Sequence, residues 1–373
     1  MATRMLSAAC LNGRFGYIVF FIVALLILTS KELDFLKKKS SSTELSFTSP
    51  SQVHIAITAC GRALYGKDAL LTIKSIIAEM VPSSGLAHLL ISIVWDESKV
   101  IDEVLVKPLL LHITKYSYHK FVQIRLVPAS ELPKELEVPF GKCASQRLFF
   151  AENPHFANED ALIYVDTDVL FLKSPLLLWN IFSCFSSLQK FGMANETNGG
   201  TGGYYRKRLS KNHVPCSQGS CKCKNGLRCK RFYGLYGLNS GVALMNLTRI
   251  RRSDFQSRIR IAMTSFKFYG DQDVYNHLFA ERNDVHVLPC IWNIRSDSRC
   301  DFAKNDESLG ILHGNRKLFH RLEGSLSVQD FNLQKFDVHH QRIRNMKWDK
   351  LGPRCLGCFQ NTILKQTNVC QCC

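Results

Sequence analysis

The chain has 373 residues, a formal charge of +17, 46% hydrophobic residues and 15 cysteines. Such a length and apolar content exclude a disordered or purely disulfide-held chain, and the simplest division is one domain of roughly 250 to 300 residues with appendages. The charge asks for an anionic partner, yet no helix-turn-helix, finger or RNA-recognition signature accompanies it, which argues against nucleic acid.

Residues 15–30 (FGYIVFFIVALLILTS) carry no charge and lie between Arg14 and Lys31. They form a candidate membrane segment, a little short of the ~20 residues a full span prefers. No Ala-X-Ala-like cleavage site follows, so an uncleaved signal anchor is favoured over a removed leader. Flanking positive charge is nearly even and does not orient the span. Two Asn-X-Thr sequons, at Asn195 and Asn246, together with the cysteines favour an oxidising lumen for the C-terminal portion. The expectation is a single-pass type II protein of the Golgi or endoplasmic reticulum membrane, with a cytoplasmic tail at 1–14, the anchor at 15–30 and a Ser/Thr-rich stem at 31–52. Of the two sequons Asn195 is the better acceptor, because Asn246 ends an apolar stretch that reads as a buried strand.

The folded part begins at Val53 and runs to about residue 350. Residues 53–57 read as a strand ending in Thr58-Ala-Cys-Gly61, residues 67–80 as a helix, and residues 88–95 and 121–127 as two further strands. Residues 143–151, which include Arg147, read as a helix. Alternating strands and helices predict an α/β layer with a mostly parallel sheet, whose ligands gather at the carboxyl ends of the strands.

Residues 161–172 (ALIYVDTDVLFL) are an apolar run interrupted by Asp166 and Asp168. The run reads as a strand buried on both faces, where unpartnered carboxylates would cost several kcal/mol. Carboxylates at i and i+2 of an extended segment share a side and can both reach one hard divalent ion. The plainer reading is a paired surface turn.

Between residues 199 and 253 there is no acid, while twelve lysines and arginines accumulate, and a solvated basic loop is the plain reading. Within that stretch Cys216, Cys221, Cys223 and Cys229 crowd together, and further on Cys290 and Cys300 bracket a short loop, as disulfides would. Cys355, Cys358, Cys370, Cys372 and Cys373 crowd the tail, residues 351–373, but their spacing fits no common zinc module.

Three polar patterns follow the Asp-X-Asp. Asn239-Ser240-Gly241 is a turn running into an apolar strand, where glycine allows close backbone approach beside amide and hydroxyl partners. Asp271 and Gln272 open a helix, and an Asp there is also a common helix cap. His313-Gly314 follows an apolar strand and precedes Lys317, offering a metal nitrogen, a close approach and a cation for phosphate.

Taken in order, these motifs resemble the family 8 glycosyltransferases, the retaining group that includes glycogenin, and within it most nearly the animal glucoside xylosyltransferases. The resemblance covers roughly residues 53 to 320. It implies a GT-A fold, with a Rossmann-like nucleotide half around the Asp-X-Asp in a single catalytic domain. It implies Mn²⁺ held by Asp166, Asp168 and His313, with uridine at Thr58 and Tyr65. It places Gly314 and Lys317 on the diphosphate, and Arg147 at a position that reaches the donor. Asn239, Ser240, Asp271 and Gln272 would meet the donor sugar and the reacting centre, and Asp271 is the one candidate nucleophile if attack is not on the same face. The activity implied is transfer of xylose from UDP-xylose, with retention, to O-linked glucose on epidermal-growth-factor-like repeats such as those of Notch. UDP-glucose or UDP-galactose is the alternative donor, and a non-catalytic lectin-like membrane protein the alternative class. The spacing departs from the family at one point: Lys317 follows His313 by four positions, where five is commoner.

Overall fold

The computed structural model describes residues 52–80, 87–139, 143–197, 205, 213–216, 230–297, 300, 308–322 and 331–351. All of them lie in one compact unit, Ser49–Cys373. Twelve strands occur among these residues: β1 (Gln52–Ala59), β2 (His88–Trp95), β3 (Val122–Pro128), β4 (Ala161–Val165), β5 (Val169–Phe171), β6 (Phe191–Asn195), β7 (His213–Cys216), β8 (Lys230–Tyr233), β9 (Leu238–Asn246), β10 (Val285–Leu288), β11 (Ile294–Arg295) and β12 (Ile311–His313). The longer helices are α1 (Ala63–Glu79), α2 (Lys107–Lys115), α3 (Phe255–Ser265), α4 (Asp271–Phe279) and α5 (Phe331–Asn345).

Seven strands form the central sheet in the order β10-β6-β9-β4-β1-β2-β3. Only β9 runs antiparallel to its neighbours, so the expected α/β layer with a mostly parallel sheet is what the chain forms. β1, β4 and β9 are buried along almost their whole lengths, as strands covered by helices on both faces must be. A smaller sheet, β11-β12-β5, stands beside it, with β12 antiparallel to β5. A core of Phe191, Phe255, Tyr275 and Phe279 rings packs α3 and α4 onto β6, with neighbouring centroids 4.7 to 6.3 Å apart.

The Asp-X-Asp run is not one strand. β4 ends at Val165 in the large sheet, β5 starts at Val169 in the small one, and Asp166–Asp168 form the turn between them. Keeping two carboxylates in mid-strand would leave them buried without solvent, whereas a break places them at the carboxyl end of β4. Helix α1 supports the break from behind. Thr72 Oγ1 lies 2.5 and 2.8 Å from the carbonyl oxygens of Thr167 and Val169, and Ser75 Oγ accepts from Phe171 N.

The helix expected over 143–151 is also replaced, by turns and a short 3₁₀ segment, Gln146–Phe149. Side chains compete with helical backbone bonding here. Gln146 pairs through both amide atoms with the backbone of Ser130, and Ser145 Oγ accepts from Val138 N. A disulfide, Cys60–Cys143, ties the start of this segment to the end of β1. The second described disulfide, Cys290–Cys300, closes the short loop expected from the sequence.

Asn246 is 1% exposed and its side chain accepts from Arg249 N, capping a short helix. It is therefore not a glycan acceptor in the folded chain. Asn195, at the end of β6, is half-buried. Among the described residues no helix is long and apolar enough to cross a membrane, and the candidate span at 15–30 lies outside them. The cysteine-rich segment 216–229 is described only at the backbone of Cys216, and the tail only at Leu351.

Across β1, β2 and β3 runs a polar chain, buried at Ser92 and His54 and half-buried at Glu159 and Arg125. Ser92 Oγ is 2.8 Å from His54 Nε2, His54 Nδ1 is 3.2 Å from Glu159 Oε2, and Arg125 binds Glu159 at 2.7 Å. The order is that of a hydrolytic triad, but Ser92 is 0% exposed inside β2, so the chain is structural. Burial lowers the His54 pKa below its ordinary value, against the opposing pull of Glu159. The unfolded chain then takes up a proton that the folded one refuses, so stability from this group is complete above about pH 6.5 and falls as pH drops below it. Glu159, held down to about 2 by His54 and Arg125, loses its contribution only at more acid pH. We predict a fall in Tm between pH 6.5 and 5 that is shallower in His54→Gln, measured by thermal melts across that range.

Candidate functional site

The site lies where the two sheets meet, at the carboxyl ends of β4 and β12. Asp166 and Asp168 come from the turn after β4, and His313 ends β12. Their ligand atoms all lie within 4.8 Å of one another. His313 Nε2 is 3.7 Å from Asp166 Oδ2 and 3.5 Å from Asp168 Oδ1. Two carboxylate oxygens and one imidazole nitrogen fit a divalent cation of the manganese kind.

Each ligand is aimed by a protein partner. Asp166 Oδ1 accepts from Arg147 at 2.7 Å and from the Tyr164 hydroxyl at 2.8 Å, which leaves Oδ2 to face His313. The main chain of Asp168 is fixed by Gly314 N, which donates to its carbonyl at 2.7 Å. Burial would lower the His313 pKa, but the Asp168 carboxylate outweighs it and the imidazole sits above its ordinary value. The same pairing holds Asp168 below the ordinary carboxylate range despite its burial.

Gly241 makes room for this cluster. A Cβ built there would lie 2.2 Å from His313 Cε1 and 3.0 Å from Asp166 Oδ2. A side chain at this position on β9 displaces two of the three ligands.

Behind the ligands, Arg147 is buried between two acids. Its guanidinium also meets Asp271 Oδ2 at 2.5 Å, donates to the Ser240 carbonyl at 3.0 Å and lies 4.5 Å over the Tyr164 ring. Asp271 is 1% exposed and is also approached by Ser240 Oγ at 3.3 Å. Burial pushes its carboxyl above the ordinary carboxylate range, against the pull of Arg147. Asp271 opens α4 as expected, but the helix cap is Gly270, so the carboxylate serves the site and not the helix end.

Asn239 and Gln272 both donate to Glu196 Oε2, at 2.8 and 3.0 Å. The hydroxyl of Thr58, at the carboxyl end of β1, is buried without a protein partner, and Tyr65 is exposed on the first turn of α1. A Cβ on Gly314 would strike the Phe319 ring at 2.3 Å. Lys317 is exposed, and it and Arg316 adopt left-handed backbone with φ of 60° and 58°. Two such non-glycine residues in succession cost about 1 kcal/mol or more each, a strain typical of ligand-binding turns.

Four residues were not anticipated: Tyr164, Glu196, Asn293 and Arg295. Tyr164 had a signal, since it lies two residues before Asp166 in an extended run and so shares its side. Glu196 is the middle residue of the Asn195 sequon, and nothing in its local sequence marks a second role. Asn293 and Arg295 lie inside the Cys290–Cys300 loop, which carries no motif.

No family model matches the chain. It is 32% identical over 300 residues to glucoside xylosyltransferase 1 of Gallus gallus, covering 73% of this chain and 60% of the relative. It is 32% identical over 299 residues to glucoside xylosyltransferase 2 of Mus musculus, covering 72% of this chain and 58% of the relative. The chain thus spans somewhat under two thirds of the length of these curated relatives. Among solved structures, the apo structure of the bifunctional glycosyltransferase WbbM matches 80% of this chain and 50% of its own at 15% identity, with a TM-score of 0.51. That likeness concerns the fold alone, a GT-A-like α/β arrangement.

Three outcomes are expected. Gly241→Ala should weaken Mn²⁺ binding at least tenfold in a cation titration, and binding to the unaltered chain should weaken as pH falls, because the cation displaces a proton from His313. Arg147→Met leaves Asp271 buried without its counter-charge and should lower stability by about 3 to 5 kcal/mol in denaturant unfolding.

Proposed function

The chain is a homologue of the animal glucoside xylosyltransferases, and on that premise we propose that it is a retaining glycosyltransferase using a UDP-sugar donor. The donor proposed is UDP-xylose, and the acceptor O-linked glucose on epidermal-growth-factor-like repeats of the Notch type. The observation that carries the proposal is the convergence of Asp166, Asp168 and His313 on one point, cleared by Gly241. Such a set suits a diphosphate-bound cation, and a lectin-like module has no need of one.

In this reading Asp166 Oδ2, Asp168 and His313 Nε2 would hold Mn²⁺. The cation, when bound, supplies positive charge to the diphosphate as the sugar bond breaks. Lys317, exposed on the turn that follows His313, would supply a second positive charge to the diphosphate. The unpartnered hydroxyl of Thr58 suits the uridine, as does the exposed ring of Tyr65 on the first turn of α1. Gly314 acts as a spacer, since its N–H is already committed to Asp168. Asp271, 1% exposed and engaged by both Arg147 and Ser240, is poorly placed as a free nucleophile. This favours attack by the acceptor hydroxyl on the face the nucleotide leaves. Asp271 and Arg147 then hold the electrostatic frame of the reacting centre.

The two disulfides suit an oxidising compartment, and we place the catalytic domain in the lumen of the Golgi or endoplasmic reticulum behind the anchor at 15–30.

The test is a donor screen of the purified full-length chain with UDP-xylose, UDP-glucose and UDP-galactose against a glucosylated epidermal-growth-factor-like repeat. The expected result is Mn²⁺-dependent xylose transfer with α product, reduced by about 10² or more in Asp168→Ala. Transfer from UDP-glucose alone refutes the xylose assignment. Full turnover in Asp168→Ala removes the carboxylate cluster from the reaction.

A further inference from the structure

A continuous line of side chains runs from the buried Glu196 to the far side of His313. Glu196 Oε2 receives Asn239 Nδ2 at 2.8 Å, Gln272 Nε2 at 3.0 Å and Arg295 at 2.5 Å. Asn239 Oδ1 accepts from Asn293 Nδ2 at 2.7 Å, and Asn293 Oδ1 is 2.9 Å from His313 Nδ1. Glu196, Asn239, Asn293 and His313 are each no more than 6% exposed.

The direction of every bond in this line is forced. A carboxylate paired to Arg295 can only accept, so Asn239 must turn its NH₂ toward Glu196 and its carbonyl away. The backbone N–H of Gly241 confirms this independently, because it donates to the same Asn239 Oδ1 at 3.0 Å. Gln272 is fixed in the same way, with Ser240 N donating to its Oε1 and its NH₂ left for Glu196. With the Asn239 carbonyl facing it, Asn293 presents its NH₂ to Asn239 and its own carbonyl to His313. That carbonyl can only accept, so the proton of the neutral imidazole must reside on Nδ1. The lone pair is then on Nε2, the nitrogen that faces Asp166 and Asp168.

We propose that Glu196 and Asn293 are positioning residues which, through Asn239, hold the neutral His313 imidazole in the Nδ1–H tautomer and so present Nε2 to the cation. The inference deepens the cation-dependent reading given above and rests on it for its purpose. Reversing the Asn293 amide would place the Nδ1 lone pair against its NH₂ and a proton on Nε2, where the cation belongs. Outer partners of this kind set ligand orientation and typically change metal affinity about 10- to 100-fold when removed.

Two measurements on the full-length chain test it. The first is ¹⁵N NMR of histidine-labelled, cation-free protein at a pH where His313 is neutral, its signal assigned with His313→Gln. The second is Mn²⁺ titration read by electron paramagnetic resonance. The unaltered chain should show the Nδ1–H pattern and bind Mn²⁺. Asn293→Leu, or Asn293→Ala if the larger side chain prevents folding, should lose that pattern and bind Mn²⁺ about 10- to 100-fold more weakly. Asn293→Asp, protonated on the oxygen that faces Asn239 Oδ1, keeps both the donor toward Asn239 and the acceptor against Nδ1 and should restore the pattern, which a merely structural role would not do. An unchanged tautomer in both Asn293→Leu and Asn293→Ala overturns the proposal. An unaltered chain with the Nδ1–H pattern and no Mn²⁺ binding upholds the relay and contradicts the cation reading instead.

Discussion

One guanidinium, that of Arg147, holds the centre of this molecule together. It binds Asp166 at the end of β4 and Asp271 at the start of α4, and reaches the backbone of Ser240 on β9. Arginine suits this place because its charge persists in a buried setting and its planar fork serves several acceptors in fixed directions. Such a cluster adds little net stability over an apolar replacement, since desolvation offsets most of the attraction. Its effect is geometric: the end of β4, the acid-bearing helix α4 and the antiparallel strand β9 of the large sheet are held in register by a single group. Asp166 is divided by this arrangement, one oxygen serving the scaffold and the other the site.

The second constraint is the seam between two sheets. The chain leaves the seven-stranded sheet at Val165 and enters the three-stranded one at Val169, and the second sheet returns His313 to the turn between them. Helix α1 holds that turn from behind through Thr72, and Gly241 leaves the space in front open. The ligands are thus carried on strand ends and a braced turn, as a site requiring sub-ångström placement demands.

Much of this was legible in the amino-acid sequence. The periodicity of residues 53–57, 67–80 and 88–95 announced strand, helix and strand, and β2 matches its expected span. Asp166, Asp168 and His313 were identifiable because their chemistry is out of place in apolar runs. The break between Val165 and Val169 was not legible, because both halves are equally apolar and only pairing with β12 divides them. Likewise the helical look of residues 143–151 was overridden by side-chain bonds to Ser130 and Val138, which lie outside any local window. The partners of His313 escaped for the same reason. Glu196, Asn239 and Asn293 are far apart in the chain, and nothing in their local sequence shows that their amides meet.

The account stands on a cation held between the two sheets, and the most direct measurement is the anomalous difference density of crystals grown with Mn²⁺ and UDP. It predicts a single peak bonded by Asp166 Oδ2, an Asp168 carboxylate oxygen and His313 Nε2, with diphosphate oxygens completing the shell. A peak bonded elsewhere, or UDP bound with these three side chains uninvolved, would contradict it.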